Sequence, residues 1–381
     1  MSRPVTTPSL RSLAGALALL AAAVLAGCAS GSPRPKPAEL PPNVDLIGVR
    51  QAWHATLAPI AFPLQVHTLG SQVLLASGDG TVVTLDARNG AELGRAGVGA
   101  PLSAGVGGDG RMAAVVTRAN EVVALAGGRV LWRHRLPTQS YTAPLVAGGR
   151  VFVLGADRSL TALDGGNGAK LWSLQRPAEP LVLRQAGVLL PVGNTLVAGL
   201  AGRLVGVDPD DGRVLWEAPI ASARGTNDVE RLVDLVAGVG REGPVICARA
   251  FQTAVGCVDT TQGSLRWSKP ANGATGLASD DKNLYGAEAD GTVMAWNAAT
   301  GERAWQTERL KWRELTGPLV LGRSVVLGDG TGLVHLLSRQ DGSALDRLTT
   351  DGSGIAATPV AAGNTLVVVT RAGGVYAYRP D

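Results

Sequence analysis

The chain has 381 residues, room for two average domains or one large repeat domain, with 51 glycines, 45% hydrophobic and only 17% charged residues. Its formal charge is +4; Arg3 and Arg11 lie in an acid-free leader over residues 1–27, so the remainder sums to +4 − 2 = +2. A chain so nearly balanced, without a basic run, gives no ground for a nucleic-acid partner, and its composition reads as a well-buried, turn-rich fold of many short strands.

The first element is a leader. Arg3 and Arg11 precede the apolar run "LAGALALLAAAVLAG", which ends at Cys28. A charged region followed by about 15 apolar residues is a secretory signal and is short for a spanning helix. The ending "LAGC", Leu25 to Cys28, resembles the bacterial lipobox, in which the cysteine becomes the first residue and is acylated. The competing reading is an ordinary signal with an incidental cysteine. Ala29 and Ser30 follow, with no Asp directly after the cysteine, similar to the pattern sorted to the outer membrane. We therefore expect a signal peptide over residues 1–27 and lipid attachment at Cys28. Residues 28–44, carrying "SGSPRPKPAELPPN", read as a Pro-rich tether, so the protein is anchored to a membrane and does not span it.

From residue 45 onward one phrase recurs: "LDGGNGAKLW", "VDPDDGRVLW", "VDTTQGSLRW", "WNAATGERAW". Its glycines are Gly90, Gly128, Gly168, Gly212, Gly263, Gly301 and Gly342, at spacings of 38, 40, 44, 51, 38 and 41. A period near 40 built of short strands indicates a propeller in which each unit is one four-stranded blade. Within a unit, "RVFVLGADRSLTALD" and "NLYGAEADGTVMAWN" alternate around polar turns and read as hairpins. The Asp-x-x-x-Gly turn follows, and four residues after its glycine come Trp132, Trp172, Trp216, Trp267 and Trp305. Tryptophans in register on successive repeats point to packing between blades. Gly94 and Asp346 occupy the Trp position in two units, which read as weaker copies.

The chain ends with "NTLVVVTRAGGVYAYRPD", an incomplete unit, while "GVRQAWHATL" with Trp53 stands before the first unit as an outer strand lacking its hairpin. Together they make one blade. The expected fold is an all-β, eight-bladed β-propeller over residues 45–381, with the N-terminal strand closing the last blade and leaving no open edge around the ring. A seven-bladed ring is the alternative, but no Trp-Asp dipeptide ends a unit. Cys247 and Cys257 flank "ARAFQTAVG" in one hairpin; they could be buried small hydrophobes, and an oxidising compartment favours a disulfide between them.

Little here looks catalytic. The recurring Asp86, Asp164, Asp208 and Asp259 sit where turns need local hydrogen bonds, and His54, His67, His134 and His335 have no metal-ligand spacing. "GVGGDG" at Gly105–Gly110 precedes no helix that could bind phosphate. The repeat resembles that of the pyrroloquinoline-quinone dehydrogenases, which makes a periplasmic quinoprotein the main competing reading. That family implies a longer chain, a vicinal Cys-Cys and an acidic, Asn-containing calcium site, and none of these occurs in this sequence. We expect no enzyme, no cofactor and no metal.

The repeat is broken in two places: "SLQRPAEPLVLRQAG" after Trp172, and "SARGTNDVERLVDLV" in the longest interval. Both lie between blades, where loops present function. With the lipobox and the eight repeats, they make the whole chain similar to the BamB family, lipoproteins of the outer-membrane β-barrel assembly machine. The resemblance implies a non-enzymatic scaffold at the periplasmic face of the outer membrane that binds periplasmic domains of BamA through a Leu-x-Leu-Arg loop and an acidic loop. Onto this sequence it places Leu181, Leu183 and Arg184 in the first loop and Glu230, Arg231 and Asp234 in the second. The family's second Asp falls on Val236, and Glu and Arg are closer together than in the family pattern. Read from the residues alone, two leucines beside an Arg fork suit an anchor at an interface, and Asp234 could pair with Arg184 or with a basic partner. The bland alternative is a short amphipathic turn covering the ring. Unfolded barrel proteins could also meet the ring by adding a strand to an edge. An envelope-binding propeller with another partner is the third reading.

Overall fold

The computed structural model describes residues 35–176, 181–222 and 232–381. The folded unit spans Ala38–Asp381 and contains eight four-stranded antiparallel sheets. Blade 1 runs outward through His67–Leu69, Gln72–Ala76, Thr81–Asp86 and Glu92–Gly97, and blades 2–7 repeat that order. Their outer strands are, in turn, Arg129–Arg135, Lys170–Leu174, Val214–Pro219, Ser264–Pro270, Arg303–Thr307 and Ala344–Thr349. Blade 8 takes Val360–Ala362, Thr365–Val369 and Gly374–Pro380 from the C-terminus and its outer strand, Val49–Thr56, from the N-terminal side. Innermost strands touch at most junctions, including that of blades 1 and 8, and the eight blades form a closed propeller.

The two middle strands of a blade are covered on both faces, which is why they are near-continuous apolar runs such as "VFVL" and "TLVVV" and not strict alternations. The buried apolar residues sort into layers between successive blades: Phe152 and Leu160 of blade 3 meet Leu196 and Val205 of blade 4, and Val326 and Leu336 of blade 7 meet Leu366 and Val368 of blade 8. Stability is thus spread around the ring as a series of inter-blade contacts.

Tryptophans clamp the junctions. Four outer-strand tryptophans stack on the turn glycine of the next blade and donate their indole N–H to that turn's backbone: Trp132 to Gly165 O at 2.8 Å, Trp172 to Pro209 O at 3.0 Å, Trp267 to Ala298 O at 2.9 Å and Trp305 to Arg339 O at 2.9 Å. The glycine is required twice over at Gly168: its φ is +75°, and a Cβ there would lie 2.5 Å from the Trp132 ring. Trp216 covers Gly263 with its indole nitrogen turned over Gly206 of its own blade. The residue paired across from each Trp is small (Ala124, Ala162, Gly206, Cys257, Ala295), which makes room for the ring.

The units with Gly94 and Asp346 are not weak copies. Blade 2 closes its outer hairpin with a two-residue turn at Gly127 and Gly128, and the outer strands of blade 8 come from opposite ends of the chain and share no turn. The Trp is missing where the next blade lacks the turn that would receive it. At blade 7 the chain itself provides the cover. Residues 38–46 run antiparallel along the outer strand: Asn43 Nδ2 donates to Asp346 Oδ1 at 2.7 Å and Leu46 N–H to Leu345 O at 2.8 Å, while Arg313 Nη1 holds Ala38 O at 2.9 Å. In blade 5, Cys247 and Cys257 face each other on paired strands and are joined by a disulfide.

Candidate protein-interaction site

In an antiparallel four-stranded blade, the turn between the second and third strands and the connection to the next blade fall on the same face. Arg158, in such a turn of blade 3, therefore shares a face with the connection from blade 3 to blade 4, which contains residues 181–187, and with the connection from blade 4 to blade 5, which contains residues 232–234. These two connections meet. Gly187 bridges Val236, Ala237 N–H donates to Ala186 O at 2.7 Å, and Gly187 N–H donates to Thr142 Oγ1 at 2.9 Å. Gln185 Nε2 reaches Ala274 O at 2.7 Å, tying the same segment toward blade 6.

Leu181 and Arg184 are exposed, whereas Leu183 is half-buried and lines a small cavity with Tyr141, Thr142, Leu154 and Leu235. The two leucines therefore do not present one shared apolar face; Leu181 is the outward one, 40% exposed. The Arg184 guanidinium lies 6.0 Å from the centroid of the Tyr141 ring, a cation–π distance. Arg184 also lines a cavity of about 520 Å³ bordered by segments entering six blades, among them Gln65, Thr275 and Glu314.

Asp234 does not pair with Arg184. Its Oδ1 accepts from Arg158 Nε at 2.8 Å and its Oδ2 from the Leu183 N–H at 3.3 Å, while Arg158 Nη2 donates to Leu181 O at 3.3 Å. The pair is largely out of water, with side-chain exposures of 5% for Arg158 and 18% for Asp234. The reason is geometric: Arg158 comes up from the turn beneath both loops, while Arg184 points away over Tyr141. Val236 is buried, pairing with Arg249 inside blade 5, so an acid at that position would have been a core residue. Cys28, Glu230 and Arg231 lie outside the described residues. Among the described residues, no three His, Cys, Asp or Glu side chains group to hold a metal ion.

Arg158 escaped the sequence reading, although a signal for it was present. Equivalent turns read "GDGT", "ADGT" and "GTGL", with glycine where blade 3 has Arg in "ADRS" and blade 2 has Asn120 in "RANE".

Comparison with known proteins gives a consistent answer. A family model described as outer membrane protein assembly factor BamB matches residues 78–307. The chain is 37% identical to outer membrane protein assembly factor BamB of Burkholderia pseudomallei, over 94% of this chain and 96% of that protein. The crystal structure of BamB from Moraxella catarrhalis superposes with a TM-score of 0.80 at 24% identity, covering 87% of this chain and 99% of that one. A quinohemoprotein alcohol dehydrogenase from Pseudomonas putida HK5 shares the fold at a TM-score of 0.69 and 14% identity, covering 89% of this chain and 77% of that one.

Proposed function

The chain belongs to the BamB family of outer membrane protein assembly factors, and from that premise we propose that it is a non-enzymatic scaffold that binds the periplasmic domains of BamA through the face carrying Leu181 and Arg184. It works as a lipoprotein anchored through Cys28 on the periplasmic side of the outer membrane, with the Pro-rich stretch as its tether. The observation that carries the reading is the meeting of the two inter-blade connections. Residues about 50 apart in sequence, Leu183 and Asp234, share a hydrogen bond at 3.3 Å, and Leu181 and Arg184 stand exposed beside them. An exposed apolar side chain next to an Arg whose guanidinium rests on an aromatic ring is the chemistry of an interface anchor, because it buries area and charge together at small entropic cost. A closed ring has no free edge between its blades, so what distinguishes one face from another is its loops.

The test is a pull-down of the affinity-tagged chain from detergent-solubilised envelopes of its own organism. The reading expects BamA as the main co-purifying protein. Recovery of a different envelope protein with BamA absent would overturn it.

A further inference from the structure

We infer that Arg158 is a positioning residue, which holds the Leu181–Arg184 loop in its binding conformation by clasping it to Asp234, and that Asp234 acts through this clasp and not by touching the partner. The inference rests on the proposed function and adds to it a residue and a division of labour. The clasp grips the loop on both sides of Val182: the guanidinium takes the Leu181 carbonyl at 3.3 Å, and the carboxylate it binds takes the Leu183 N–H at 3.3 Å. Fixing one carbonyl and an amide two residues later sets the direction of that stretch, with Leu181 outward and Leu183 against the cavity wall. Both carboxylate oxygens are then engaged, Oδ1 by Arg158 Nε at 2.8 Å and Oδ2 by Leu183. A basic partner residue would have to break a largely buried ion pair to reach Asp234, which is costly.

The backbone points the same way. Arg158 has a φ of +63°, in the left-handed region that a side chain with a Cβ disfavours. In six blades the equivalent turn residue has positive φ and donates its N–H to the carbonyl three residues back, as Arg158 does to Gly155 O at 3.0 Å; it is glycine in four of them (Gly80, Gly291, Gly332 and Gly373) and Asn120, with φ +61°, in blade 2. Blade 3 thus places a long cationic side chain where four blades have glycine and one has asparagine, the residue types that tolerate this conformation. Strain of this kind persists where the surroundings hold it and the side chain is used. Here the use in view is the grip on the 181–184 loop.

Arg158→Gly separates positioning from folding, because glycine suits the turn while abolishing the clasp. In the full mature chain, amide exchange over residues 181–184 should rise about ten-fold, since local opening is no longer opposed. Affinity for the purified periplasmic region of BamA should fall about ten-fold, with the melting temperature changed by no more than about 2 °C, because the released loop lets water reach the Asp234 carboxylate and glycine relieves the turn. Arg158→Lys, which keeps a charge beside Asp234 but loses the second donor, should fall between wild type and Arg158→Gly in both readouts, and it serves if the glycine variant does not fold. Unchanged exchange over 181–184 would overturn the inference. So would unchanged affinity in a titration where Arg184→Ala weakens binding, or a loss of affinity that merely follows a loss of melting temperature. If Arg184→Ala itself leaves BamA binding intact, the proposed surface has failed, and the exchange measurement alone decides the clasp.

Discussion

The indole of Trp53 lies across Gly90, close enough that a Cβ on that glycine would sit 2.7 Å from the ring, and donates its N–H to Ala87 O at 2.8 Å. Trp53 belongs to the N-terminal strand of blade 8 and Gly90 to blade 1, so this contact performs at the ring closure what Trp132, Trp172, Trp267 and Trp305 do between other blades. Arg379 Nη2 adds a second tie across the same junction, donating to Ala87 O at 3.1 Å. The closure combines a full strand pairing with the same Trp-on-glycine clamp that repeats around the ring.

The clamps should carry much of the stability. Trp132 is 8% exposed, and Trp132→Ala should cost about 3–5 kcal/mol in chemical denaturation by emptying the layer between blades 2 and 3. Gly168→Ala should be destabilising by more than about 1 kcal/mol, through its φ and the clash with the indole. Wild-type stability in either variant would show that the junction packs by other means.

The Cys247–Cys257 disulfide closes a short loop within one hairpin, with a sequence separation of 10. Replacing both cysteines by alanine should lower the unfolding free energy by about 2 kcal/mol and leave the distant 181–184 loop unaltered. The check is a urea titration of the double variant with and without reductant: reductant should shift the wild-type curve and leave the variant's curve in place.

Acid should weaken the fold through blade 7. Asp329 is fully buried, with Arg313 Nε at 2.7 Å and His335 Nε2 at 2.9 Å on the same oxygen. Burial alone would raise its carboxyl; hydrogen bonds from His335, Leu333 N–H, Thr331 and Arg313 outweigh that and hold it well below the usual carboxylate range. For His335 burial is the largest effect and lowers the imidazole below its ordinary 6.5, against the opposing pull of Asp329. A lowered carboxylate gives stability that is complete above its unfolded value near 3.8 and is lost as pH falls through its folded value. A lowered imidazole leaves the unfolded chain binding the extra proton, so stability also drops as pH falls below 6.5. Melting temperature should therefore decline between about pH 7 and 5 and again below about pH 4. His335→Gln, which keeps a donor for Asp329 but cannot titrate, should flatten the first decline. An equal decline in the variant would remove His335 as its source.

On the proposed anchoring through Cys28, Cys28→Ala should release the protein from the outer membrane on cell fractionation, because lipid chains, and not a side-chain charge of +2, would hold it at a bilayer. Unchanged outer-membrane retention in the variant would contradict the anchor.

The eight-bladed ring and its closure by the N-terminal strand were legible in the sequence because most blades repeat the same hairpin and turn at a period near 40, and the incomplete last unit has its missing strand before the first. The face proposed to bind was legible only as two interruptions of that repeat. The period does not tell how two loops 50 residues apart settle against each other, and so Asp234 was left open to pair with Arg184 or with a basic partner. The actual partner, Arg158, lies within a regular turn, and a search for irregular segments passes over it. The absent tryptophans at Gly94 and Asp346 were likewise misread, because the reason for each lies in the following blade: a two-residue turn at Gly127 and Gly128, and no turn at all at the ring closure.

The most direct test of the central claim is the affinity of the soluble mature chain for the purified periplasmic region of BamA, measured for wild type and for Leu181→Ala/Arg184→Ala at moderate salt. Both residues are exposed, so their truncation should cost the fold less than about 0.5 kcal/mol each. Losing two anchors should weaken binding by about 2 kcal/mol or more, roughly thirty-fold. That loss with an unchanged melting temperature is the predicted result. Wild-type affinity in the double variant would contradict the account and leave these loops as packing for the ring.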